Sequence, residues 1–420
     1  MPHHVLNNYK KIKADAFEGA DITFVLNTVF GFKDFRPLQK EIIESVLLHQ
    51  DILAVMSTGG GKSLCYQLPA LVLPGLTLVV SPLISLMQDQ VASLASDGIP
   101  AGFLNSTLTK ADFQKLQDNI RSGYVKIIYV SPEGLASSRI QRILTDEKVS
   151  ISLITVDEAH CVSEWGHDFR PDYLDIIYIR RLFPDAVMLA LTATATDSVQ
   201  KDIIKNLGLK KPHIFLSGFD RPNIYLTVRQ KKRAMEQLAE CIEKHRDESG
   251  IVYCFSRRQA EEVTKKLQAM NYSCVCYHAG LSAEERKAHQ EMFIKNQVRV
   301  IVATVAFGMG IDKPDVRFVV NYDMPKSLEE YYQEIGRAGR DGLEAEALLF
   351  YSPRDPYKIR HLFDENTDIK KAESLLQEME NFATSPTCRR KFLLAYFGEK
   401  HISLKKGDRC CDVCSFNAKF

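Results

Sequence analysis

Short, unbroken apolar runs recur along this chain: Ile52 to Val55, Thr77 to Ser81, Lys126 to Ser131, Ser152 to Asp157 and Ala186 to Thr192. None alternates apolar with polar, so each reads as a strand buried on both faces. Segments of helical length and pattern, such as Lys110 to Ile120, lie between them. This predicts a parallel sheet covered by helices. The pattern then starts again with Ile251 to Phe255, Ser273 to Tyr277, Val298 to Thr304, Val316 to Asn321 and Ala345 to Tyr351. The expectation is an α/β fold of two tandem domains. Between them, Gly208 to Asn223 carries Pro212, Gly218 and Pro222 and suits a linker or the first strand of the second domain. Beyond Pro353 the chain turns helical and charged, with amphipathic spacing over Lys370 to Phe382 and Arg389 to Tyr396. The expected division is 1–212, 213–345 and a small helical module, 346–420.

Composition limits what such a chain does. With 420 residues, 45% hydrophobic and 25% charged, it is an ordinary globular chain too long for one core. Lys plus Arg is 54 and Asp plus Glu 53, a net charge of +1, which argues against binding nucleic acid or lipid by bulk charge. Ten cysteines are too sparse for a disulfide scaffold, and Met1 to Lys13 contains no apolar signal core, so an intracellular, thiol-reduced setting is expected. Ser63 to Gln88 contains no charge and has the length of a membrane span. Pro69, Pro74, Gly75 and Pro82 divide it, and the expectation is a short helix, a turn and a buried strand instead.

Three clusters carry chemistry. Met56-Ser57-Thr58-Gly59-Gly60-Gly61-Lys62-Ser63 follows one strand and precedes a helical stretch. Glycines there let backbone N–H groups reach phosphate oxygens, Lys62 reaches the β and γ phosphates, and the Ser63 hydroxyl meets Mg²⁺. A flexible Gly-rich turn is the plainer reading, since Met56 stands where the usual pattern has glycine. Asp157-Glu158-Ala159-His160 ends another strand, where Asp157 suits a metal and Glu158 an attacking water. A solvated helix start has the same composition. Gln333 to Arg340 places Arg337 and Arg340 three apart, on one side if helical, either to reach γ-phosphate charge or as a basic surface.

Taken together, the segments resemble RecQ-family helicases of superfamily 2. The resemblance runs from Phe30 to Cys414 through FGFKDFRPLQ, the loop at 57–63, SPLISLMQDQ, DEAH at 157–160, CVSEWGHDFRP, LTATAT, FDRPN, ATVAFGMGIDK and QEIGRAGRD. It implies two RecA-like domains, and it implies that Phe32 stacks on adenine while Arg36 and Gln39 contact the base. Thr58, Gly59, Gly60, Gly61, Lys62 and Ser63 would hold phosphate, Ser63 and Asp157 would hold Mg²⁺, and Asp312 would also serve the nucleotide. Gln333, Arg337 and Arg340 would close the site, with Arg340 as the arginine finger. The resemblance implies that Trp165, the only tryptophan, with His167, Phe169 and Arg170, would form an aromatic-rich loop that senses single-stranded DNA. Ser81, Ser131, Thr192 and Thr194 fall in strand-contacting or coupling motifs.

Cys388, Cys410, Cys411 and Cys414 concentrate near the end of the chain, with Cys411 and Cys414 at a metal-biting spacing. They point to Zn²⁺ as the staple of the small module, as the family's cysteine site implies. Cys410 and Cys411 are adjacent, and His401 stands as an alternative ligand. Arg389, Arg390, Lys391, Lys400, Lys405, Lys406 and Arg409 place positive charge beside this site. Only six residues follow Cys414, so the winged-helix and terminal helical domains of many relatives are not expected here. The implied function is an ATP- and Mg²⁺-dependent 3′–5′ DNA helicase or translocase, a monomeric motor on single-stranded, tailed or forked DNA with a role in repair and recombination. It would act in the nucleus of a eukaryote or in the cytoplasm or nucleoid of a prokaryote, with no membrane partner. An RNA helicase, or a DNA-binding or strand-annealing module with a regulatory ATPase, are the rivals.

Overall fold

A computed structural model describes residues 15–420 except 106–107, 165, 167, 309–312, 362, 364–367, 400–409 and 418–420. It divides into two compact units, Met1–Gly218 and Phe219–Phe420. In the first, seven strands form one sheet: β1 (Ile52–Val55), β2 (Leu76–Val80), β3 (Ala101–Leu104), β4 (Ile127–Val130), β5 (Ile151–Val156), β6 (Val187–Thr192) and β7 (His213–Leu216). Every pairing is parallel, in the order β3-β4-β2-β5-β6-β1-β7. Strands β1, β2, β4 and β6 are buried at every residue, as unbroken apolar runs demand.

The second unit has six strands: β8 (Ile224–Gln230), β9 (Ser249–Tyr253), β10 (Cys274–Tyr277), β11 (Val300–Ala303), β12 (Val316–Asn321) and β13 (Ala345–Tyr351). They are again parallel, in the order β10-β11-β9-β12-β13-β8. The α/β reading and the two sheets are therefore observed, with differences in detail. The stretch after Pro212 is not the start of the second sheet. His213–Leu216 pairs in register with β1, and the His213 N–H donates to the Asp51 carbonyl, so the division falls after Gly218 rather than Pro212. Strand β13 belongs to the second sheet, and the helices beyond it share that sheet's core. Leu376, Met379, Phe382 and Leu393 pack in one buried cluster with Ile224, Leu226, Ile335 and Leu349.

The uncharged run becomes the helix Leu64–Val72, a turn at Gly75 and strand β2. Pro69, one of the residues that divide the run, lies inside that helix. An interior proline costs about 3 kcal/mol. All nine residues of the helix are buried, and each large apolar side chain taken from water returns roughly 1.5–3 kcal/mol. No helix among the described residues is long and apolar enough to cross a membrane.

Candidate nucleotide-binding and metal sites

The glycine loop occupies the carboxyl end of β1 and leads into the helix Leu64–Val72. Gly59 and Gly61 take φ of +82° and +79°, a region closed to most side chains. A Cβ on Gly60 would sit 3.0 Å from the Ser57 carbonyl oxygen, and one on Gly61 would sit 2.3 Å from Gln39 Nε2. The loop is thus a backbone cradle with room only for hydrogen at these positions. The Lys62 ammonium donates to the Met56 carbonyl at 3.2 Å. Ser57 N–H donates to Ser217 Oγ at 3.0 Å, fixing the loop from the segment after β7.

Two residues expected at the adenine make hydrogen bonds to the loop. Gln39 is buried; its Nε2 donates to the Gly61 carbonyl at 3.0 Å and its Oε1 accepts from the Arg36 N–H at 2.8 Å. The Arg36 guanidinium donates to the Gly59 carbonyl. Phe32 is 54% exposed, a free aromatic face near the start of the same segment.

The acidic pair follows β5, two strands from β1 in the same sheet and at the same end. Burial and the adjacent Glu158 carboxylate push Asp157 up to about 7, with the Lys62 charge pulling the other way. That interaction places the Lys62 and Asp157 charges in one field. Glu158 sits at φ +49°, a left-handed backbone that costs a non-glycine residue roughly 1–2 kcal/mol and is characteristic of functional turns. His160 Nδ1 lies 3.4 Å from Glu158 Oε2 and 2.8 Å from Thr192 Oγ1, and Thr192 Oγ1 donates to the Thr194 carbonyl at 3.1 Å. The acidic turn and the LTATAT segment are therefore one hydrogen-bonded unit. Nothing in the residue types alone identified this link.

Ser81 and Ser131 follow the paired ends of β2 and β4, and Arg170 reaches the carbonyl next to Ser81. Ser81 is 1% exposed with its N–H donating to Val130 O, so the interior of the sheet, not a strand-binding surface, holds it. Ser131 caps the short helix Pro132–Leu135 through the Gly134 N–H. Phe169 and Arg170 are half-buried, and Arg170 bonds Asp168 and the Pro82 carbonyl. Trp165, His167 and Asp312 lie outside the described residues.

In the second unit, the helix Leu328–Ile335 ends before the arginines, so Arg337 and Arg340 sit on turns and not on one helical face. The helix stops at Gly336, and Gly339 takes φ +56°. Arg221 shapes this turn: its guanidinium donates to the carbonyls of Gly336, Ala338 and Gly339 at 3.1, 2.7 and 3.1 Å. Asn223 adds bonds to the Gly339 and Leu343 carbonyls at 2.8 and 2.9 Å. These give the FDRPN segment a role that its composition did not disclose. Gln333 is half-buried and Arg337 buried against Tyr253 and Glu334.

Four thiols meet in the same unit. The Sγ atoms of Cys388 and Cys410 are 3.4 Å apart, Cys410 and Cys414 3.7 Å, and Cys388 and Cys411 3.8 Å. Tetrahedral zinc with bonds of about 2.3 Å separates its sulfurs by roughly 3.8 Å, so the donor set and spacing fit Zn²⁺. Both adjacent cysteines point into the cluster, because Cys410 and Cys411 flank strand β8: the Leu226 N–H donates to the Cys410 carbonyl. His401 lies outside the described residues. Arg389 and Arg390, counted among the positive charges beside this site, are buried. Arg389 ties Asp412 to the Phe382 and Ser385 carbonyls, and Arg390 donates to the carbonyls of Arg221, Pro222 and Ile224.

Residues 36–203 match the DEAD/DEAH box helicase family and residues 232–342 the helicase conserved C-terminal domain. The chain is thus a helicase core of two tandem RecA-like folds. It superposes on Saccharomyces cerevisiae Dbp5, solved with RNA and ADP BeF3, at a TM-score of 0.66 and 18% identity over 93% of this chain and 94% of that one, a likeness of fold. Residues 353–415 match the RecQ zinc-binding family. The ATP-dependent DNA helicase RecQ of Pasteurella multocida is 47% identical over 93% of this chain, and a putative ATP-dependent RNA helicase, R290, of Acanthamoeba polyphaga mimivirus is 41% identical over 97%. This chain belongs to the RecQ family of helicases. It spans 61% of the Pasteurella relative's length and 75% of the viral one's.

Proposed function

We propose that the chain is an ATP- and Mg²⁺-dependent 3′–5′ DNA helicase or translocase acting on single-stranded, tailed or forked DNA. The observation that carries the reading is the pairing, at one end of one sheet, of the glycine cradle around Lys62 with the acidic pair Asp157 and Glu158. Backbone N–H groups of residues 58–63 and the Lys62 ammonium bind phosphate oxygens, and Ser63 and Asp157 hold Mg²⁺, which supplies charge neutralisation at the phosphates. Glu158 orients the attacking water and accepts its proton. Arg340, with Arg337 and Gln333, supplies positive charge to the γ-phosphate as an arginine finger. Phe32 offers a stacking face for the base, and Asp312 serves the nucleotide. His160 and Thr192 transmit the state of the acidic turn to the LTATAT segment. Trp165, His167, Phe169 and Arg170 stack on or grip the unpaired strand.

The Pasteurella relative's name supports DNA as the track, and the family's work in repair and recombination would place the chain wherever the cell keeps its DNA. A monomer suffices, since each catalytic part is present once in the chain. The viral relative's name favours RNA, so the test compares the two. Single-stranded DNA should stimulate ATP hydrolysis more than single-stranded RNA of equal length, and a duplex with a 3′ tail should be unwound. Lys62→Ala should lower DNA-stimulated turnover about 10²-fold or more with the fold retained. Full turnover in that variant would overturn the proposal, and stronger stimulation by RNA would transfer it to an RNA helicase.

A further inference from the structure

Outside the four-cysteine cluster, the described residues bring together one further set of metal-ligating side chains. His160, Cys161 and Asp168 each hold a ligand atom within 4.8 Å of the others. His160 Nε2 and Cys161 Sγ are 3.7 Å apart, and Cys161 Sγ is 3.7 Å from Asp168 Oδ2. Zinc bonds of about 2.3 Å to sulfur and about 2.0 Å to nitrogen or oxygen put such atoms roughly 3.5 Å apart at tetrahedral angles. The observed edges are within a few tenths of an ångström of that without rearrangement. The other nitrogen of the ring, His160 Nδ1, is already held by Thr192 Oγ1 at 2.8 Å and Glu158 Oε2 at 3.4 Å. Partners of that kind orient metal-binding histidines. His160 and Cys161 are 2% and 0% exposed, and Asp168 is half-buried. Asp168 Oδ2 also accepts from Arg170 Nη2 at 3.1 Å and Nε at 3.3 Å, a contact that a metal must share or displace.

We propose that His160, Cys161 and Asp168 form a site for one Zn²⁺ ion that inhibits the motor. The thiol makes the site selective for zinc over Mg²⁺, the ion of the nucleotide site. On binding, the Cys161 S–H bond breaks, its proton leaves to solvent and the sulfur pair bonds the metal. Three protein ligands leave a fourth position for water. The bound ion would tie the acidic turn, through His160, to the 161–171 loop, through Asp168, and so restrain the segment that couples hydrolysis to DNA. Inhibition rests on the ATPase reading above, whereas metal binding does not, and the two are read separately.

The experiment titrates the purified chain, with its cysteine-cluster zinc in place, with Zn²⁺ and in parallel with Co²⁺. Wild type should reach two metal ions per chain, the second giving a thiolate-to-cobalt charge-transfer band. Cys161→Ser and Asp168→Asn should each bind that second ion at least about tenfold more weakly. DNA-stimulated ATPase of wild type should fall with added Zn²⁺ and recover on mild chelation, and Asp168→Asn should resist relative to its own zinc-free rate. A single ion at saturation in wild type, or a second ion kept at full affinity by Asp168→Asn, would refute the site even if Cys161→Ser fails to fold. A second ion bound without effect on a working ATPase would refute the inhibitory role.

Discussion

At the scale of single residues, the glycine cradle shows how backbone freedom becomes chemistry. Gly61 is confined twice, by φ +79° and by Gln39 Nε2 lying 2.3 Å from where a Cβ would be. Gly61→Ala should therefore cost roughly 1–2 kcal/mol of backbone strain and also unseat Gln39 from the loop. The expected outcome is a fall of about 2–8 °C in the melting temperature of the first unit. Nucleotide binding should weaken with it, which titration with a fluorescent nucleotide checks. The loop itself was legible because glycine, lysine and serine at fixed spacing have few other uses. The clasp by Gln39 and Arg36 was not, because it joins residues more than twenty positions apart in the chain.

At the scale of elements, the second unit depends on two polar devices. Arg221 makes three bonds to the carbonyls of the turn that carries the arginines. Arg221→Ala should displace that turn and lower turnover about 10²-fold, as small misplacements of catalytic groups do, while nucleotide affinity changes little. Steady-state kinetics with a binding titration separate the two effects. Glu346 on β13 faces Lys244 and His245 at the end of the helix Ala234–Lys244. Burial would raise its carboxyl, but hydrogen bonds from His245 and Lys244 outweigh burial and hold it at about 2, below the ordinary 4.5. A depressed carboxylate stabilises the fold fully above the ordinary value and loses that contribution as pH falls from about 4.5 to about 2. With Lys244 mostly exposed and screened, the contribution is about 2 kcal/mol. Glu346→Gln should be less stable than wild type by that amount at pH 6, and the gap should narrow between pH 5 and pH 3 in denaturant titrations.

Most strands could be read from the sequence, because unbroken apolar runs at the centre of a parallel sheet have no competing pattern. Strands β3 and β8 were missed, and β7 was read as a linker or as the first strand of the wrong sheet; all three lie at sheet edges, where one side is not covered by another strand and composition relaxes. The condition on which Arg337 and Arg340 would share one side, a helical segment, is not met. Their spacing suits a helix, but Gly336 and the positive φ of Gly339 end it.

At the scale of the whole molecule, the cysteine cluster joins the last helices to a sheet edge. Cys410 and Asp412 bond Leu226 and Val228 of β8, and Arg389 ties Asp412 back to the carbonyls at the end of the helix Ile369–Thr384. Removing zinc with a strong chelator should leave four close thiols without their organising charge. Residues 353–415 should then become sensitive to protease together with the edge at β8, while the first unit keeps its melting temperature. Limited proteolysis with metal analysis reads this. Cys410 and Cys411 and the last helices share a buried cluster with one face of the second sheet, so loss of the cysteine cluster is not confined to a tail.

By itself, the sequence determined the class of fold, most of its strands and the place of the glycine-lysine, acidic and cysteine clusters. These follow from local periodicity and from residue types whose chemistry is narrow. Only the tertiary structure decided which polar side chains are buried and which distant partners hold them. Burial and hydrogen-bond partners depend on residues far away in the chain: Arg389 and Arg390 look like surface charge until their carbonyl partners appear, and His160 looks like part of a motif until Thr192, Cys161 and Asp168 close around it.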